Sequence, residues 1–131
     1  MLNNSTTNSQ VKKILVLFGT RPEAIKLSPV IAELRKRSEF ETIVVSSSQH
    51  TDLLKPFLKL FDIKVDYDLK VMSKNQTPNT VAGKVLSKLD KILEKEKPDL
   101  LLVQGDTTTA FSGAFAAFNR KIQIGHIEAG L

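Results

Sequence analysis

Four short polar segments carry most of the side chains in this chain that could do chemistry. They are Gly19-Thr20-Arg21-Pro22-Glu23-Ala24-Ile25-Lys26, Ser48-Gln49-His50, Gly105-Asp106-Thr107-Thr108 and His126-Ile127-Glu128-Ala129-Gly130. The first sets two cations, Arg21 and Lys26, beside what reads as a helix N-terminus, where free N–H groups already favour anions. That is chemistry for a phosphate-bearing ligand, although two solvated helix-surface cations would read the same way. Gly19 allows a sharp turn, and Pro22 suits the first turn of a helix. Asp106 and Glu128 are two carboxylates with cations nearby, a pattern suited to proton transfer next to a phosphate ester. Each also has a plainer reading. Asp106 could cap a helix beginning at Thr107, and His50 and His126 could each be structural. Glu128 is harder to dismiss, because it has no basic neighbour in the local sequence to pair with.

The elements that must position these residues follow from periodicity. Residues 13–18 contain a continuous apolar run, Ile14-Leu15-Val16-Leu17-Phe18, the mark of a strand buried on both faces. A helix is predicted over 22–37, with Leu27, Val30, Ile31 and Leu34 on one face. Pro29 should kink it, or restart it with Ser28 as cap. A second strand over 42–45 leads to a helix over 51–61 with Leu54, Phe57, Leu58 and Phe61 on its apolar face. A short third strand is expected at 67–69, then a polar connection at 73–79 that reads as mobile. A long helix over 80–96 carries the stripe Val81, Val85, Leu89, Ile92 and Leu93 and ends before Pro98. A strand over 100–103, a small-residue helix over 110–118 and a strand over 122–125 complete the pattern. Alternating strands and helices predict an α/β fold, a doubly wound parallel sheet in the order 3-2-1-4-5. In such a sheet the carboxyl ends of the strands share one edge, where ligands bind. All four polar segments follow a predicted strand, so Arg21, Lys26, Gln49, His50, Asp106, His126 and Glu128 should meet on one rim.

Bulk properties narrow the function. The 131 residues suffice for one domain with a sizeable core, and 41% hydrophobic with 25% charged residues describes an ordinary globular protein. Residues 1–11 are read as a disordered leader and 12–131 as the folded domain. The net charge of +5 is spread along helices and suits an anionic small ligand. No basic tract interleaved with aromatics points to nucleic acid. The absence of cysteine excludes a disulfide scaffold and Cys-ligated zinc and fits a cytoplasmic protein. No apolar run is long enough to span a membrane, and no signal pattern opens the chain. The first turn has one glycine where a dinucleotide fingerprint has three, and no acid ends the second strand, which argues against NAD. No Walker loop and no metal-ligand spacing is present, so neither a cofactor nor a metal is expected.

At the four segments the chain strongly resembles the non-hydrolysing UDP-N-acetylglucosamine 2-epimerases of bacteria. Gly19 to Lys26 is similar to the family's GTRPEAIK segment, Gln49-His50 to its QH loop, Gly105 to Thr109 to its GDTTT loop, and His126 to Leu131 to its HxEAGL segment. The resemblance covers residues 12–131. It implies the N-terminal, Rossmann-like half of a two-domain fold of the glycosyltransferase-B type, with the ligand between the halves. It implies interconversion of UDP-N-acetylglucosamine and UDP-N-acetylmannosamine by proton removal at carbon 2, elimination of UDP and its re-addition. It assigns Asp106 and Glu128 as catalytic carboxylates, Arg21, Lys26, Gly19 and His126 to substrate binding, and Gln49 and His50 to a regulatory site. Asp52 and Asn75 stand where that site uses other polar or basic residues. A homodimer is implied, in a cell-envelope polysaccharide pathway. Family members extend well past residue 131 and carry there a third carboxylate, a histidine and most of the UDP pocket, so the chain is expected to lack activity alone. Its strand at 122–125 should leave Ile122, Ile124 and Ile127 undercovered. Two other readings stay open: a non-catalytic nucleotide-sugar-binding module, and half of a glycosyltransferase of the same fold.

Overall fold

The computed structural model describes residues 10–48 and 51–128. The leader expected over 1–11 therefore lies almost wholly outside the described residues. Strands and helices alternate: β1 (Lys12–Phe18), α1 (Arg21–Lys36), β2 (Phe40–Ser46), α2 (Thr51–Leu60), β3 (Tyr67–Asp68), α3 (Pro78–Glu96), β4 (Leu100–Gln104), α4 (Thr108–Asn119) and β5 (Gln123–Ile127). The strands form one parallel sheet in the order β3-β2-β1-β4-β5, as the alternation predicts. Leu17 pairs with Val45 on one side of β1, and Val16 with Leu102 on the other.

Successive side chains of a strand point to opposite faces, and β1 uses both. Leu15 and Leu17 pack with Val81, Val85 and Leu89 of α3 and Ala116 and Ala117 of α4. Ile14, Val16 and Phe18 pack with Ala24, Leu27 and Ile31 of α1 and Leu54 of α2. This two-sided burial is why the run at 14–18 is unbroken by polar residues.

Several boundaries differ from the periodic reading, each for a local reason. α1 runs through Pro29 as one helix instead of restarting. Proline leaves the Ile25 carbonyl without its usual N–H partner, and the Ser28 hydroxyl donates to that carbonyl instead, at 2.9 Å. α3 begins at Pro78, not 80, because the Thr77 side chain accepts the Thr80 N–H and Pro78 needs no partner. In α2 Leu54 is buried, but Phe61 lies beyond the helix and is exposed, stacked on Phe57. β5 is an edge strand. Ile122 just before it and Ile127 at its end are partly covered by the two cores, so only Ile124 of the expected trio is exposed. The larger apolar surface lies on α4, where Phe111, Phe115 and Phe118 are 68%, 46% and 70% exposed.

Candidate functional site

A cleft of about 570 Å³ opens at the carboxyl ends of β1, β4 and β5. The first turn of α1 forms one wall through Pro22, Glu23 and Lys26, and the β4–α4 turn forms another through Gly105, Asp106 and Thr107. His126 and Glu128 close the third side. Four of the predicted site residues, Lys26, Asp106, His126 and Glu128, thus line one space.

The local sequence explains each placement. Gly105 has φ +72°, a left-handed turn that frees the chain from β4 immediately before α4. Asp106 follows and is exposed, with no hydrogen-bond partner among the described residues. It is not the helix cap. Thr107 is, and its hydroxyl oxygen accepts the Ala110 N–H at 3.1 Å. The plain reading of Asp106 therefore fails, and its carboxylate is left open to the cleft.

Glu128 does have a basic partner, from 102 residues away. Lys26 Nζ lies 2.6 Å from both carboxylate oxygens, and the Gln104 side-chain amide donates to Oε2. Glu128 itself has φ +69°, an uncommon value for a residue with a side chain. His126 lies inside β5, paired with Val103, and not in the loop after it. Its Nε2 is 2.7 Å from the Gly105 carbonyl oxygen. A carbonyl can only accept, so Nε2 carries a hydrogen and the ring is fixed against the β4–α4 turn.

The remaining predicted residues sit elsewhere. Arg21 is exposed and does not line the cleft; its guanidinium carbon lies 5.3 Å from the centre of the Phe57 ring. Gly19 is buried and its φ is not positive, so its role is room and not turning freedom. A Cβ there would lie 2.2 Å from Ser47 Oγ and 2.5 Å from Thr109 Oγ1. Gln49 and His50 lie outside the described residues. Among the described residues no group of three or more His, Asp or Glu could hold a metal ion, and no helix is long and apolar enough to cross a membrane.

Periodicity and motif reading missed two site residues. Gln104, which touches Glu128, is the polar end of an apolar run. Glu23 is 1% exposed and receives hydrogen bonds from both Gly19 and Thr20. The pattern Thr20-x-x-Glu23 is a capping-box signature and could have found it. The Gly19 and Thr20 N–H groups, just before α1, are thus taken by an internal anion.

Residues 32–131 match the family model described as UDP-N-acetylglucosamine 2-epimerase. The chain belongs to that family. It is 50% identical over 119 residues to the UDP-N-acetylglucosamine 2-epimerase of Neisseria meningitidis serogroup A, covering 91% of this chain and 32% of the relative. Its fold superposes on the crystal structure of the Neisseria meningitidis UDP-GlcNAc 2-epimerase bound to UDP-GlcNAc with a TM-score of 0.87, at 50% identity, covering 91% of this chain and 32% of that one. The Methanocaldococcus jannaschii UDP-GlcNAc 2-epimerase in complex with UDP-GlcNAc and UDP gives a TM-score of 0.85 at 39% identity, with 91% and 33% covered. The chain spans about a third of the length of the curated epimerases it matches. The Rossmann-like fold expected from the motifs is the fold these epimerases share over that third.

Proposed function

We propose that this chain supplies the N-terminal, substrate-facing wall of an epimerase that interconverts UDP-N-acetylglucosamine and UDP-N-acetylmannosamine. One observation carries the reading: Asp106, a carboxylate without a hydrogen-bond partner among the described residues, and Glu128, a carboxylate gripped by Lys26, meet in one cleft at the strand ends. Loss of the carbon 2 proton and departure of UDP need a proton acceptor, a proton donor and cations for the phosphates. Asp106 and Glu128 are the acid–base groups of this wall. Lys26, His126 and the exposed Arg21 are its ligand contacts, and Arg21 reaches a phosphate by leaving the Phe57 ring. The relatives solved with UDP-GlcNAc or UDP support the choice of substrate. Residues 12–131 form the domain that carries this wall, and the protein works in the cytoplasm without a cofactor.

We infer a homodimer formed through α4. Phe111, Phe115 and Phe118 recur at helical spacing and are exposed, with the first two rings stacked. A second copy of the same stripe is a partner of matching chemistry, since three exposed phenylalanines on one helix face gain by leaving water.

The test is a titration of the 131-residue chain with UDP-N-acetylglucosamine, followed by amide NMR. Shifts should concentrate at Lys26, Gly105 to Thr107 and His126, with millimolar affinity, because one wall leaves the ligand half in water. A coupled assay should find no epimerisation by this chain alone. Shifts confined to residues outside the cleft would overturn the site, and turnover by the isolated chain would overturn the requirement for a second wall.

A further inference from the structure

Glu23 is the one charged side chain buried among the described residues. It has no ion-pair partner there and is held by hydrogen-bond donors. Oε2 accepts the Gly19 N–H at 3.0 Å, the Thr20 N–H at 2.7 Å and the Thr20 hydroxyl at 2.7 Å. Oε1 accepts the Thr107 hydroxyl at 2.8 Å. The first three bonds lie within the β1–α1 turn. The fourth crosses to the β4–α4 turn, which follows the neighbouring strand.

That fourth bond bears on Asp106. The Thr107 hydroxyl gives its proton to Glu23 and accepts the Ala110 N–H, so it is held from two sides. On the other side of Asp106, the Gly105 N–H donates to the Ile127 carbonyl at 3.2 Å, and the Gly105 carbonyl accepts from His126. Asp106 is thus pinned through both neighbours while its own carboxylate has no hydrogen-bond partner among the described residues. The three bonds within the β1–α1 turn are those that cap α1. Only the fourth, to Thr107, reaches beyond that turn. We propose that Glu23 and Thr107 form a latch across the ends of β1 and β4 that holds Asp106 at the cleft. Glu23 is then a positioning residue, a role that rests on reading Asp106 as a reacting group. Lys26 lies one turn further along the same helix face, so the turn that fixes Asp106 also presents the cation that grips Glu128.

The latch is tested in the 15N-labelled 131-residue chain by backbone order parameters at Gly105, Asp106 and Thr107. Glu23→Asp keeps the charge but withdraws it by one methylene, leaving the Thr107 cap intact. Thr107→Val removes the hydroxyl, and Thr107→Ser restores it. Order parameters at 105–107 should fall from about 0.85 to below about 0.6 in the first two variants. The serine variant should match the parent, and amides in β1 and α3 should not change. The double variant Glu23→Asp/Thr107→Val should be no looser than either single one, since both cut the same bond. Rigid residues 105–107 in both single variants would overturn the latch, as would additive loosening. Loosening confined to Ala110 and the first turn of α4 would mark a lost cap and overturn it too. If Glu23→Asp does not fold, the valine and serine pair decides alone. Order is read without substrate, so failure of the latch is distinct from failure of the epimerase reading, which the titration tests.

Discussion

Replacing Gly19 by alanine perturbs the packed end of β1, and its magnitude can be worked from distances. The new methyl would sit 2.2 Å from Ser47 Oγ and 2.5 Å from Thr109 Oγ1, both far inside contact distance. Both side chains are fully buried and are hydrogen-bonded to each other at 2.8 Å. The backbone cannot easily yield, because the Ser47 N–H is bonded to the Phe18 carbonyl at 2.8 Å. Relief requires Ser47 to rotate away, breaking a buried hydrogen bond. Overpacking costs about 1–3 kcal/mol, and losing the buried Ser47–Thr109 hydrogen bond costs a further ~0.5–1.5 kcal/mol. A loss of about 1.5–4.5 kcal/mol is a large share of the roughly 5–15 kcal/mol typical of a domain. It corresponds to a fall in Tm on the order of 10 °C. Thermal and urea unfolding of Gly19→Ala measures it. Repeating the change in a Ser47→Ala background, which lacks the nearest clashing oxygen, should shrink the loss. A variant within about 0.5 kcal/mol of the parent, or an equal loss in both backgrounds, would refute the argument.

Three further outcomes are expected. The Tyr67 hydroxyl, and after it Lys13, hold the Glu96 carboxyl below the usual glutamate range. A lowered folded-state pKa stabilises above the unfolded value, and that stability is lost as pH falls through the folded one. Tyr67→Phe should therefore be less stable than the parent at neutral pH, with the gap closing in acid; a gap that persists in acid would exclude Glu96 as its source. Arg21→Ala loses an exposed cation–π contact with Phe57, so unfolding should change by no more than about 1 kcal/mol. UDP affinity should drop about tenfold or more, as expected for a charge-assisted phosphate contact, and unchanged affinity would leave Arg21 as a partner of Phe57 alone. Phe115→Glu should shift sedimentation at high concentration to the monomer, because it places a charge in the apolar stripe of α4; an unchanged association would remove α4 as the interface.

Much of the fold was legible because parallel α/β architecture writes itself into local pattern. The run at 14–18 must serve two cores, so it is apolar throughout, and the stripe from Val81 to Leu93 repeats at helical spacing and is buried as such. Element ends were less legible, because caps decide them and caps are single side-chain bonds. Thr77 and Thr107 start their helices earlier than periodicity suggests. Phe61 shares the apolar pattern of its helix yet is exposed, and Ile122, expected to be undercovered, is partly covered, because coverage depends on what the rest of the chain lays over them.

The sequence by itself determined that Lys26, Asp106, His126 and Glu128 gather at the cleft, but not that Arg21 stays outside it or that Gln104 and Glu23 line it. Strand order and right-handed crossovers send every strand's carboxyl end to one edge, and residue type marks what stands there. Only the tertiary structure decided how those residues are paired. Lys26 on Glu128, Thr107 on Glu23, Arg21 over Phe57 and Gly19 under Ser47 and Thr109 all join different elements. Local pattern cannot see such pairs. Hydrogen bonds and steric exclusion act over a few ångströms of space, whatever the separation along the chain, and a one-dimensional pattern records only the latter.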